Sequence, residues 1–153
     1  MATYKLTELD RWAAKIGMKA QNIINKVCFA MSDAVIEQTP VWRGGGRRGG
    51  TARGNWQPTL NSAAQGVLDF QDEDGAATKQ KAKEVSNGAA GNVFYLTNNL
   101  PYIRVLEYGL YPQGAYKTER TKGGYSTQAP KGMVRIVARE FSRTVKEQVN
   151  KFK

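Results

Sequence analysis

A chain of 153 residues, 41% of them apolar, suits one domain, residues 1–153; at this size roughly 68–70% of the unfolded surface is buried on folding. The net charge of +10, from 23 Lys+Arg against 13 Asp+Glu, favours anionic neighbours such as nucleic acid, acidic protein surfaces or anionic membrane. Histidine is absent, which excludes the commonest general base and metal ligand, and the single cysteine, Cys28, excludes an internal disulfide and fits a reducing compartment.

Residues 1–15 are amphipathic and carry no apolar core of a secretory signal, so none is expected. No run of about 18 apolar residues is present, so no membrane-spanning helix is expected either. Leu9, Trp12, Ile16, Ala20, Ile23, Val27, Met31, Ala34 and Val35 recur at steps of three and four, which predicts an amphipathic helix. Thr7 is its expected cap, and Pro40 its stop, because the residue before proline avoids helical angles. About 30 helical residues span roughly 45 Å, long enough to lie across a sheet or to reach a neighbouring subunit. Cys28, beside the stripe, reads as a small core residue.

Residues 43–54 change character. Arg43, Arg47, Arg48 and Arg53 alternate with glycines and no apolar period remains, which predicts a flexible basic loop. Trp42 and Trp56 flank it. Strands are expected over Asn55–Ser62, with Trp56 as anchor and Pro58 marking an edge, and over Val67–Phe70. Asp72-Glu73-Asp74-Gly75 reads as a solvated turn, and Ala76–Val85 as a short, exposed helix.

Asn92–Thr97 is the clearest strand. Pro101 then suits the first position of a helical turn, Tyr102 and Leu106 share its expected buried side, and Gly109 stops it. Residues 110–127 lack a period and read as an extended loop or hairpin carrying Lys117, Arg120 and Lys122. Pro130 is the expected start of a last helix, with Met133, Val137, Phe141, Val145, Val149 and Phe152 at helical spacing. The fold class that follows is α+β: a small, mostly antiparallel sheet packed with a long N-terminal and a C-terminal helix, plus two long loops that order against a partner.

Gly44-x-Gly46-x-x-Gly49 matches a dinucleotide fingerprint in form, but lacks the preceding strand and following helix that the chemistry needs. Asp72 and Asp74 before Gly75 resemble part of a calcium loop, yet Phe70 and Lys81 would hold the first and closing ligand positions, and neither coordinates calcium. Asp69, Asp72, Glu73, Asp74 and Glu107 are the acids from which a hydrolytic pair would have to come. Spacing alone brings no two of them face to face. Glu107 reads better as an acceptor for backbone N–H groups or for an arginine such as Arg104. The four loop arginines are the strongest binding feature, because guanidinium forks match phosphate and carboxylate.

Several pieces occur in a familiar order: Thr39-Pro40-Val41, Arg53-Gly54-Asn55-Trp56, Asp72-Glu73-Asp74-Gly75, the stretch Tyr95–Gly109 with Asn98, Asn99, Pro101, Tyr102, Leu106, Glu107 and Gly109, and Gln128–Val134. In this the chain resembles the tail-completion or neck proteins of tailed bacteriophages, the group that includes lambda-type minor tail protein Z. The resemblance implies a structural virion protein, no enzyme and no cofactor or metal. It would complete the tail and join it to the head connector, in a ring around the DNA channel. The implied partners are a connector or adaptor ring, the tail terminator or tail tube, further copies of itself, and the passing genomic DNA, with no membrane. The implied setting is the virion neck, assembled in the host cytoplasm. Two excursions depart from the family pattern: the Arg/Gly run and residues 110–127. The alternative reading is a nucleic-acid-binding protein that uses the Arg/Gly loop, with Trp42 and Trp56 stacking on bases.

Overall fold

The computed structural model describes residues 6–44, 46, 48–112 and 120–152, and the side chains of residues 6–14 are not described. The chain is an α+β mix. Helix α1 (Leu6–Gln38) is followed by the short α2 (Thr51–Gly54), strand β1 (Gln57–Leu60), α3 (Ala76–Ser86), β2 (Phe94–Thr97) and α4 (Ile103–Tyr108). A hairpin of β3 (Thr121–Lys122) and β4 (Tyr125–Ser126) precedes α5 (Val134–Arg139) and α6 (Phe141–Asn150). Thr7 lies inside α1 rather than capping it.

The 33 residues of α1 span roughly 50 Å at 1.5 Å per residue. Its C-terminal part is embedded, with Val27, Ser32, Val35 and Ile36 buried, while Ile16, Met18 and Ile24 are exposed. It packs against α3, α5 and α6. The expectation that α3 is exposed fails: Thr78, Ala82 and Ser86 are buried at four-residue steps. Small side chains on one face let two helices approach closely, a signal that counting large apolar residues overlooks. Lys79 then reaches Asp33 and Glu37 on α1.

Strands β1 and β2 pair antiparallel, Gln57 opposite Thr97 and Leu60 opposite Phe94. The pairing continues through the Asn61 N–H, which donates to the Val93 carbonyl. The second strand expected over Val67–Phe70 does not form. That stretch is tied to β1 by side chains instead: Leu68 N–H donates to Asn55 Oδ1, Asn55 Nδ2 to the Leu68 carbonyl, and Gln57 Nε2 to the Gly66 carbonyl.

The core joins Val35 and Ile36 of α1 to Ala52, Trp56, Ala82, Leu100, Leu106, Ala129, Met133 and Val137. Tyr102 is exposed although Leu106 is buried. Helix α4 begins only at Ile103, so Tyr102 precedes it and Ile103 packs on the core instead. Pro130 sits in the turn before α5, not at a helix start, and the last helix is divided at Glu140. Past that break Phe141 is exposed and Gln148 is buried, so the expected stripe does not run through.

Candidate functional site

The residues of the ordered sequence pattern make several separate junctions between segments distant in the chain. Glu107, at the end of α4, is buried, and its carboxylate accepts the N–H groups of Met133, Val134 and Arg135 at 2.7–3.0 Å. These are the N–H groups that open α5 and have no partner within that helix. Arg135 Nε adds a further bond at 3.1 Å, and its Nη2 reaches the Glu107 carbonyl and the Tyr125 hydroxyl. The arginine is therefore Arg135, not Arg104. Burial alone would raise the Glu107 pKa, but the backbone donors and Arg135 outweigh it and hold the carboxyl below its ordinary range.

Gly109 ends α4 in the left-handed region, with φ 66° and the Tyr125 ring packed where a Cβ would stand. Tyr111 N–H donates to the Gly124 carbonyl, so the excursion after Gly109 leaves and returns at one place. Within its described part, β3 and β4 pair as an antiparallel hairpin, Thr121 opposite Ser126 and Lys122 opposite Tyr125.

The other pattern residues act alike. Asn98 Nδ2 donates to the Ala52 carbonyl while its Oδ1 accepts Leu100 N–H. Asn99 Nδ2 bonds the carbonyls of Ala64 and Gly66, and Pro101 follows in an exposed turn. Gln128 mimics a strand neighbour, accepting Val41 N–H and donating to the Val41 carbonyl. Trp56 is buried and donates from Nε1 to Thr39 Oγ1 at 2.7 Å, so it is not available for stacking on a base.

Asp72 is not a solvated turn residue. It is buried and accepts Gly75 N–H, Thr78 N–H and the Thr78 hydroxyl, which fixes the start of α3. Burial pushes its pKa up, but Thr78 and the remaining donors bring it below the ordinary value. Asp72 and Glu107 thus serve different helices. Among the described residues no cluster of metal-ligating side chains occurs, and no helix is long and apolar enough to cross a membrane.

The basic run is divided in two, which corrects its reading as one flexible loop. Its C-terminal part is built into the body: Gly49, Gly50, Ala52 and Gly54 are buried, and Gly49 N–H donates to Glu73 Oε1. Arg53 is committed inside the chain, with Nη1 on the Glu73 carbonyl and Nη2 on the carbonyls of Glu37 and Thr39. It is therefore a tie between α1 and the acidic turn rather than a contact for a partner. Arg43 and Arg48 are exposed, as are Arg120 and Lys122. Arg47 and Lys117 lie outside the described residues.

Arg43, Arg48 and Arg120 line one cleft of about 920 Å³ between the end of α1, the start of α2 and the hairpin. The Arg120 guanidinium lies over the Trp42 ring, 4.6 Å from its centroid. Tyr102 and Tyr111 also line the cleft. Sequence reasoning missed Tyr111, Tyr125 and Arg135, and it had no means of joining Trp42 to Arg120. Nothing local marks a contact between residues so far apart in the chain.

Compared with known proteins, the chain matches no family model, no curated protein and no solved structure.

Proposed function

We propose that this chain is a structural protein of a tailed-phage neck, completing the tail and joining it to the head connector as one copy in a ring. The observation that carries this reading is what the phage-like residues do. Glu107, Asn98, Asn99, Gln128 and Trp56 each tie together segments far apart in sequence. Residues that tie distant segments together hold a rigid body, and a rigid body suits an assembly part whose task is to present a fixed surface to neighbours. The exposed apolar residues Ile16, Met18 and Ile24 on α1 supply surface for such neighbours. Ring symmetry repeats one contact around a closed collar and so adds up weak interactions.

Particles made without this chain are expected to appear in electron micrographs as separate heads and tails, or with unstable joints. Normal infectious particles would overturn the reading. The nucleic-acid alternative draws on the arginine rim of the cleft, which has no acid among its described lining residues. Two of its parts are otherwise engaged, since Trp56 is in the core and Arg53 is bonded to three carbonyls. It predicts tight binding whose logarithm falls steeply with salt; a flat salt dependence rejects it.

A further inference from the structure

The cleft carries positive charge that no acid among the described residues neutralises. Arg43, Arg48 and Arg120 are exposed on its rim, and among the described residues no Asp or Glu lines it and none of the three forms an ion pair. Three like charges around one concavity repel one another and focus a positive potential into it, which an anionic group relieves. The floor is different in kind: Val41, Ala52 and Leu106 are buried apolar residues there. The volume falls in the range of sites that take up a compact group, about 300–1,000 Å³. Charge on the rim over an apolar floor selects a ligand with the same division, anionic outside and apolar within.

We propose that the cleft docks an acidic segment of a partner protein, with carboxylates on Arg43, Arg48 and Arg120 and one aromatic or aliphatic side chain seated between them. Two features favour carboxylates on a polypeptide over nucleic acid. The indole of Trp42 already carries Arg120, and Gly44 packs so closely that a Cβ there would come within 2.2 Å of Trp42 Cζ2. A base must displace Arg120 before it stacks. The adjoining hollow shares Trp42 and Arg43 but is also lined by Glu73 and Asp74. Any long polyanion that runs on past Arg43 into that hollow meets those carboxylates and is repelled. A short acidic segment ends before them. Guanidinium forks bind carboxylates in two parallel hydrogen bonds, which fixes the segment's orientation as well as its charge. The inference stands on the cleft and holds whether or not the neck reading does.

The test is fluorescence anisotropy with the full chain near physiological salt, where exposed, distant charges are screened. The probes are a short, dye-labelled glutamate-rich glutamate–tyrosine copolymer and an oligothymidylate of equal charge. The copolymer is expected to bind at least about tenfold more tightly than the oligonucleotide, a difference of roughly 1.4 kcal/mol. Replacing the rim arginines together (Arg43→Ala, Arg48→Ala, Arg120→Ala) should weaken the copolymer at least about tenfold. Removing equal charge elsewhere (Lys81→Ala, Lys83→Ala, Lys131→Ala) should change it by less than about twofold. Should the alanine variant lose its circular dichroism, glutamine at the same three positions keeps the side-chain stems and repeats the comparison. Oligothymidylate binding as tight as the copolymer's, an equal loss in the lysine variant, or no copolymer binding each overturns the proposal.

Discussion

At the junction of α4 and α5 one carboxylate, Glu107, meets three backbone N–H groups and a guanidinium. In the arginine cleft three guanidinium groups meet no carboxylate among the described residues. The first arrangement is closed: each group has a partner and the charge lies in a half-dry setting where hydrogen bonds are strong. The second is open, and its charges are exposed, so they cost the fold little. One region therefore reports on stability and the other on what comes from outside.

The largest expected effect breaks the closed region. Glu107→Leu leaves the N–H groups of Met133, Val134 and Arg135 without their acceptor. A loss of roughly 3 kcal/mol is expected, since a buried donor that loses a charged partner is left desolvated and unpaired. For a chain of this length that lowers Tm by about 6–12 °C in a thermal melt. A change under about 1 kcal/mol would show that the junction does not hold α5 in place.

The same carboxylate gives an acid dependence. Its folded pKa is lowered from the ordinary 4.5, so its stabilisation is complete above that value and is lost as pH falls through the folded value. Asp72 acts in the same direction at the start of α3. Urea midpoints are expected to fall as the solution is taken below about pH 4.5, and Glu107→Leu should flatten part of that slope. The acid effect should be smaller than the substitution's, because a protonated carboxyl still has a carbonyl oxygen to accept with.

Arg53→Ala is next, at about 2 kcal/mol, through the loss of charged donors to the carbonyls of Glu73, Glu37 and Thr39. Arg53→Lys should not restore it, because one ammonium group does not span carbonyls that the planar fork reaches together. Asn98→Ala is expected to cost about 1 kcal/mol by freeing the Ala52 carbonyl and Leu100 N–H. Both values come from chemical denaturation at neutral pH.

Long-period features were legible in the sequence. The apolar repeat gave α1, β-branched and aromatic residues gave β2, and Pro101 with Gly109 bracketed α4. Glu107 was read as a backbone acceptor, but its arginine was named as Arg104. No local pattern distinguishes that neighbour from Arg135, which lies 28 positions on. The strand expected at Val67–Phe70 failed for a physical reason: the Asn55 side chain takes both the N–H and the carbonyl of Leu68, the pair a ladder would have used there. The break at Glu140 carries no proline or glycine, and nothing in the sequence marks it. Residues 43–54 read as one basic loop, although Arg43 and Arg48 face the cleft and Arg53 is a tie, because residue type alone does not reveal which guanidinium meets carbonyls and which meets water.

The smallest expected effect decides whether that division is real. Arg43 and Arg48 belong to the same Arg/Gly run as Arg53 but are exposed and have no acidic partner among the described residues. The double variant Arg43→Ala, Arg48→Ala is expected to leave stability within about 0.5 kcal/mol, as for surface changes away from any paired network. A small gain is the favoured sign, because removing two cations from a chain of net charge +10 relieves repulsion. That gain should fade as salt is raised and the Debye length shrinks from about 10 Å to about 3 Å. A loss comparable to Arg53→Ala, unaffected by salt, would mean these side chains are also tied into the fold, and the cleft would then hold no unassigned charge for a partner to meet.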